Sequence, residues 1–234
     1  MVSVQSVYET VKNLANKDQK GFVSPEVFNS FAKLAQLNIY SEMFEDIVVG
    51  RKLRRQNVDG PSINSMVDRS KTDLSPLATT ALLQKNPSTG VFNKPLDFSV
   101  IISCNIPGLR GSVKTIIHLI REEEKLNHLL ASTLSAPTKT NPVALISDDI
   151  EVFPTSLSRI DLTYYRVPKT PLYNISVLSV DGAHLEVFNE DNSQDFELPV
   201  HYEPELVAEV VKMLGIEIND KDLYSYGQTE ETQA

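Results

Sequence analysis

Residues 16–47, NKDQKGFVSPEVFNSFAKLAQLNIYSEMFEDI, constrain the fold more than any other stretch. They encode a turn followed by a long helix. Gly21 tolerates a positive-φ turn position, the Ser24 hydroxyl can accept from a free first-turn amide, Pro25 suits the first helical position, and Glu26 complements the positive end of the dipole. The helix therefore starts at Pro25. Phe28, Phe31, Ala35, Ile39 and Met43 then recur at helical spacing on a main apolar face, while Asn29, Lys33 and Gln36 read as much of the opposite, polar side. Leu37 and Phe44 form a second apolar set away from the main face. A helix apolar on two sides has to bury both, inside its own domain or against another subunit. Leu37 and Phe44 are thus the candidate subunit interface, expected to be exposed in a monomer and covered on assembly.

The turn ahead of this helix has Asn16, Asp18 and Gly21 at the first, third and sixth places of an EF-hand loop. Lys20 and Val27 occupy the fifth and twelfth places, where an oxygen donor and a bidentate Glu are needed, so a plain helical connection is the better reading.

With 31 acidic against 22 basic residues the net charge is -9, which disfavours a broad nucleic-acid surface. The length of 234 residues allows one large domain or two small ones with a sizeable core. A single cysteine, Cys104, excludes an intrachain disulfide framework. The first residues lack the basic and apolar regions of a signal peptide, and no stretch approaches the ~20 apolar residues of a membrane span. The expectation is a protein of the cytoplasm, or of something assembled there, without a membrane or specific nucleic-acid partner.

In chain order, Val4, Val7, Tyr8, Val11, Leu14 and Ala15 mark a short amphipathic helix that forms a hairpin with the main one. Arg51, Lys52, Arg54 and Arg55 follow Gly50 and suit the negative end of a helix dipole, the alternative being a local contact with phosphate or an acidic partner. Residues 57–90 read as an extended or loop insertion, with 74–83 able to form a short helix or an extended arm. Strands are predicted at 98–104, 113–120, 143–146, 150–153, 159–167, 175–180 and 183–188, the last two joined by the hairpin signal Asp181-Gly182. A short helix falls at 121–132. Pro204 opens a C-terminal helix that Gly215 closes, and 220–226 add one or two turns. The fold class is therefore α+β, a helical platform from N- and C-terminal helices with a central antiparallel β-rich domain. Its parts are a helical hairpin (1–56), the insertion (57–90), a β-rich domain with one short helix (91–200), C-terminal helices packing with the N-terminal ones (201–227) and a disordered tail (228–234).

Residues able to do chemistry are few. Cys104 with His118, His128, His184 or His201 has no nucleophile signature around it, and a Cys in a β-rich apolar run is normally a small core residue. Glu124 and His128 are one turn apart, but a solvated helix face accounts for them without further ligands. No catalytic, cofactor-binding or metal residues are assigned, and the chain is expected not to be an enzyme.

Four segments, NKDQKGFVSPEVFNSFAKLAQ, HLLASTLSAPTKTNPVA, TYYRVPKTP and DFELPVHYEPELVAEVVKMLGIEINDKDLYSYG, follow one another in an order that resembles virion structural proteins of short-tailed bacteriophages, especially crAss-like phages. The resemblance implies a ring-forming component of the head-to-tail connector, either a portal adaptor or a tail-barrel ring. It further implies a dodecamer, with the portal and neighbouring tail ring proteins as partners, located in the virion. Two alternatives from other classes are an intracellular enzyme and a monomeric module that binds peptides at an exposed β edge.

Overall fold

The computed structural model describes residues 1–16, 23–55, 61–108, 114–180 and 183–217. The chain is α+β and divides into two compact units, one built from residues 1–76 and 168–234, the other from 77–167.

The first unit holds helices α1 (Val4–Asn16), α2 (Pro25–Arg55), α3 (Pro61–Asp73) and α5 (Glu203–Glu217) and the hairpin β8 (Ile175–Val180) with β9 (Ala183–Phe188). The Ser24 hydroxyl accepts from the Val27 amide, so α2 begins where its cap and proline place it. Gly50 does not end the helix, which continues through the basic cluster. Helix α5 packs on α1 and α2, joining the two ends of the chain in one core. Residue 2 pairs with residue 196 as a short antiparallel bridge, and the Asp195 carboxylate accepts from the Val4 amide at the start of α1.

Residues 61–73 are a helix, not part of a loop insertion, and Val67 on it is buried. The polar pattern PSINSMVDRSKTD hid it, because its burial rests on α2 rather than on a strong apolar stripe of its own. Gly215 lies inside α5 and is buried, so it does not close the helix. Gln36 is buried and Asn29 half-buried, both on segments far away in sequence, while Phe31 is only half-buried. The β8–β9 hairpin and residues 168–200 belong to this helical unit, not to the β-rich one. The turn at 17–22, the Asp181-Gly182 turn, the turns expected at 220–226 and the tail lie outside the described residues, as do the side chains of Arg51, Arg54 and Arg55.

The second unit holds a sheet in the order β1-β7-β2-β3 and another in the order β4-β5-β6. The first is antiparallel and comprises β1 (Ala78–Gln84), β7 (Arg159–Arg166), β2 (Phe98–Ile106) and β3 (Thr115–Ile116). Residues 78–84 are therefore an edge strand of this sheet, not an insertion. In the second sheet β4 (His118–Ile120) runs parallel to β5 (Val143–Ile146), which pairs antiparallel with β6 (Ile150–Phe153), so the β region is not wholly antiparallel. The strand expected at 113–120 is split at Ile117, whose amide bonds the Cys104 carbonyl (2.9 Å) while its side chain is buried. There the chain passes from one sheet to the other. Phe92, Cys104, Ile117, Ile150, Ile160 and Leu162 fill the core between them. Helix α4 (Glu123–Ala131) sends Leu126 into a smaller cluster with Ile120, Val143 and Leu145.

Candidate functional site

Helix α2 decides what the first unit can present. Its 31 residues span about 46 Å, and one side enters the core through Phe28, Ala32, Ala35, Ile39, Met43 and Ile47. Positions 34, 37, 41, 44 and 48 advance by alternate steps of three and four and so lie along one outer stripe. Leu34 is 48% exposed and Val48 47% exposed. Leu37 and Phe44, the candidate interface residues, lie between them and are half-buried rather than exposed. Ser41, which bonds back to the Leu37 carbonyl at 3.0 Å, is the one polar break in the stripe. The sequence pattern located the stripe but missed Leu34 and Val48, its most accessible members.

The same helix walls a cleft of about 770 Å³ with α3 and α5, polar where the stripe is apolar. Glu42, Asp46, Arg69, Ser70, Tyr202 and Glu205 line it. The Ser70 hydroxyl donates to Asp46 at 3.3 Å, tying α3 to α2. Burial, reinforced by the neighbouring Glu42 carboxylate, raises the Glu205 carboxyl to about 7 despite the opposing charge of Arg69. Behind the cleft Asp73 is buried and accepts from the Tyr202 hydroxyl at 3.2 Å, lies 3.3 Å from His201 Nε2 and is 3.8 Å from Arg69 Nε. Burial and the Asp73 charge push the Tyr202 phenol up to about 12. Chemically, the cleft can hold a proton near neutral pH on its Glu42–Glu205 pair. None of these residues was singled out from the sequence except His201, because the acids come from separate helices and share no local motif.

The residues weighed for catalysis are dispersed. Cys104 is fully buried in the sheet core, where burial pushes its thiol up to about 12, the opposite of an activated nucleophile. His128 Nε2 lies 3.9 Å from Glu124 with both side chains almost fully solvated, as expected of an exposed helix face. His201 is engaged with Asp73 in the other unit, His118 is exposed, and the side chain of His184 lies outside the described residues. Among the described residues no group of three or more His, Cys, Asp or Glu is placed to hold a metal. No described helix is long and apolar enough to cross a membrane.

Compared with the models of known protein families and with curated protein sequences, the chain matches none.

Proposed function

We propose that this chain is a structural subunit of a short-tailed bacteriophage virion, forming a homo-oligomeric ring in the head-to-tail connector as a portal adaptor or tail-barrel ring. It works by assembly rather than by catalysis, between the portal and the neighbouring tail rings. The observation that supports this reading from the structure is the outer stripe of α2. A helix whose core side is already filled carries a second line of Leu34, Leu37, Phe44 and Val48, and a ring contact is an economical way to remove that line from water. The four ordered segments that resemble connector proteins support it independently.

Leu34→Glu is the direct probe, since Leu34 is more open than Leu37 and the change leaves the subunit core untouched. On this reading the variant keeps its circular dichroism and melting midpoint but stays monomeric by light scattering, because assembly would bury an unpaired charge. Leu37→Glu blocks assembly as well and, being half-buried, also lowers the melting midpoint. Rings of normal size from Leu34→Glu would remove the stripe from the contact.

A second reading, an intracellular enzyme, draws on the Glu205 carboxyl set near neutral pH in a cleft. Glu205→Gln separates the two, since a connector subunit carrying it still assembles and supports infectious particles.

A further inference from the structure

Among the described residues the second unit carries an unpaired sheet edge, and the hairpin of the first carries another. Among the described residues strand β1 pairs with β7 alone, on one side. The Lys85 amide donates to the Ser158 carbonyl at 3.0 Å, which sets the phase of the ladder. In an antiparallel pair alternate residues turn their backbone groups to the partner, so residues 79, 81 and 83 face β7, and Ala78, Thr80, Leu82 and Gln84 turn their N–H and C=O groups outward. The 3.1 Å contact between the Thr80 and Thr163 hydroxyls fits the closer side chains of a non-hydrogen-bonded pair.

Native edges of this length are normally guarded by charge, proline or a covering element. Strand β1 reads ATTALLQ, without a charge or a proline, and Leu82 on it is 54% exposed.

The hairpin is two-stranded, and no third strand among the described residues pairs with it. The Asn189 amide donates to the Asn174 carbonyl at 3.0 Å, so in β8 the outward groups belong to Ile175, Val177 and Ser179. Strand β8 reads ISVLSV, again without charge or proline, and Val177 is 58% exposed. The outer edge of β9 carries Glu186 instead. The remaining edges suit a partner less well, because β3 spans two residues, β4 spans three, and β6 is bridged at Ile150 by Phe92.

We infer that β8 of one copy of this chain adds to the β1 edge of the next copy, making a sheet continuous across the subunit boundary. Among the described residues neither edge has a partner, each exposes a large apolar side chain, and the two are of similar length, six residues against seven. Joining two different edges makes the contact heterologous, the kind that gives a ring where its rotation closes and an open filament where it does not. The inference deepens the ring reading and rests on it in one respect, that copies associate.

The test uses the full chain with the buried Cys104 retained. Thr80→Cys, Leu82→Cys or Gln84→Cys is co-produced with a second copy bearing Val177→Cys, then oxidised with copper-phenanthroline and run on a non-reducing gel. Facing residues on paired strands lie about 4.5–5.5 Å apart at Cα, inside the reach of a disulfide. A cross-linked dimer is expected for at least one of the three and not for Ala81→Cys, which sits on the other face of the sheet. Leu82→Pro removes one outward N–H while sparing the ladder to β7, so self-association weakens about tenfold with the circular dichroism retained. If that variant fails to fold, Leu82→Lys provides the same comparison through the side chain.

Cross-linking of Leu82→Cys to itself, without reaction at Val177→Cys, overturns β8 as the occupant. Normal rings that neither cross-link nor respond to Leu82→Pro or Leu82→Lys overturn the inference and leave the ring reading standing. A wild-type chain that stays monomeric by light scattering at assembly concentrations overturns both.

Discussion

Gln36→Leu tests how the helical unit is held together. Gln36 is 1% exposed, and its amide holds two distant backbone groups at once. Nε2 donates to the Lys169 carbonyl at 2.9 Å, and Oε1 accepts from the Glu197 amide at 3.0 Å. The Lys169 amide in turn donates to the Glu197 carboxylate at 2.8 Å, so one side chain of α2 clamps two connecting segments to each other and to the helix. One turn further on, the Tyr40 hydroxyl donates to the Glu197 carbonyl. Leucine has nearly the volume of glutamine but neither polar group. The Glu197 amide then loses its partner in a buried site, at about 1–3 kcal/mol, and the Lys169 carbonyl, which is nearer to solvent, adds about 0.5–1.5 kcal/mol. The sum is about 1.5–4.5 kcal/mol, a lowering of the melting midpoint by roughly 3–18 °C for a chain of this size. Thermal unfolding followed at 222 nm measures it. A variant that melts within about 1 °C of the parent would refute the clamp, because replacing a solvent-facing amide by leucine has an effect of only that order.

Glu205→Gln changes how stability depends on pH. The folded carboxyl titrates at about 7 against an ordinary 4.5, so between those values the folded state holds a proton that the unfolded chain has released. The carboxyl's contribution is therefore fully present below pH 4.5 and is lost as pH rises through about 7, where ionisation puts a poorly solvated charge beside Glu42, only partly offset by Arg69. Discounted for partial solvation, the loss is about 1 kcal/mol. Melts at pH 5 and pH 8.5 should show the glutamine variant unchanged at the lower pH and more stable than the parent at the higher; equal curves at both would refute it. Phe28→Ala is expected to cost about 3–5 kcal/mol in urea unfolding, because its ring is fully buried, and Phe31→Ala less than half of that. Equal losses would mean that the helix is rotated about its axis. Cys104 should resist iodoacetamide at pH 8 in the folded chain and react within minutes in guanidinium; prompt labelling of the folded protein would contradict its burial.

The elements legible in the sequence are those whose signals are local. Ser24 and Pro25 start α2 through their own geometry, and the apolar spacing of residues 4–15 makes α1 amphipathic wherever its partner lies. The alternation in β7 likewise marks its buried face at Ile160, Leu162 and Tyr164. These features depend on neighbours within a turn or a strand pair, so the residues carry the information themselves.

Tertiary structure decided everything that depends on a distant partner. Gln36 and Asn29 read as solvent-facing because amides are costly to bury alone, yet each is held by backbone groups more than a hundred residues away. The polar helix at 61–73 is likewise stabilised by α2, and the apparent single strand at 113–120 divides because Ile117 is drawn into a core shared by two sheets. The cleft around Glu205 follows the same rule: its acids are ordinary surface residues on α2 and α5 until packing removes water from between them and makes one hold its proton.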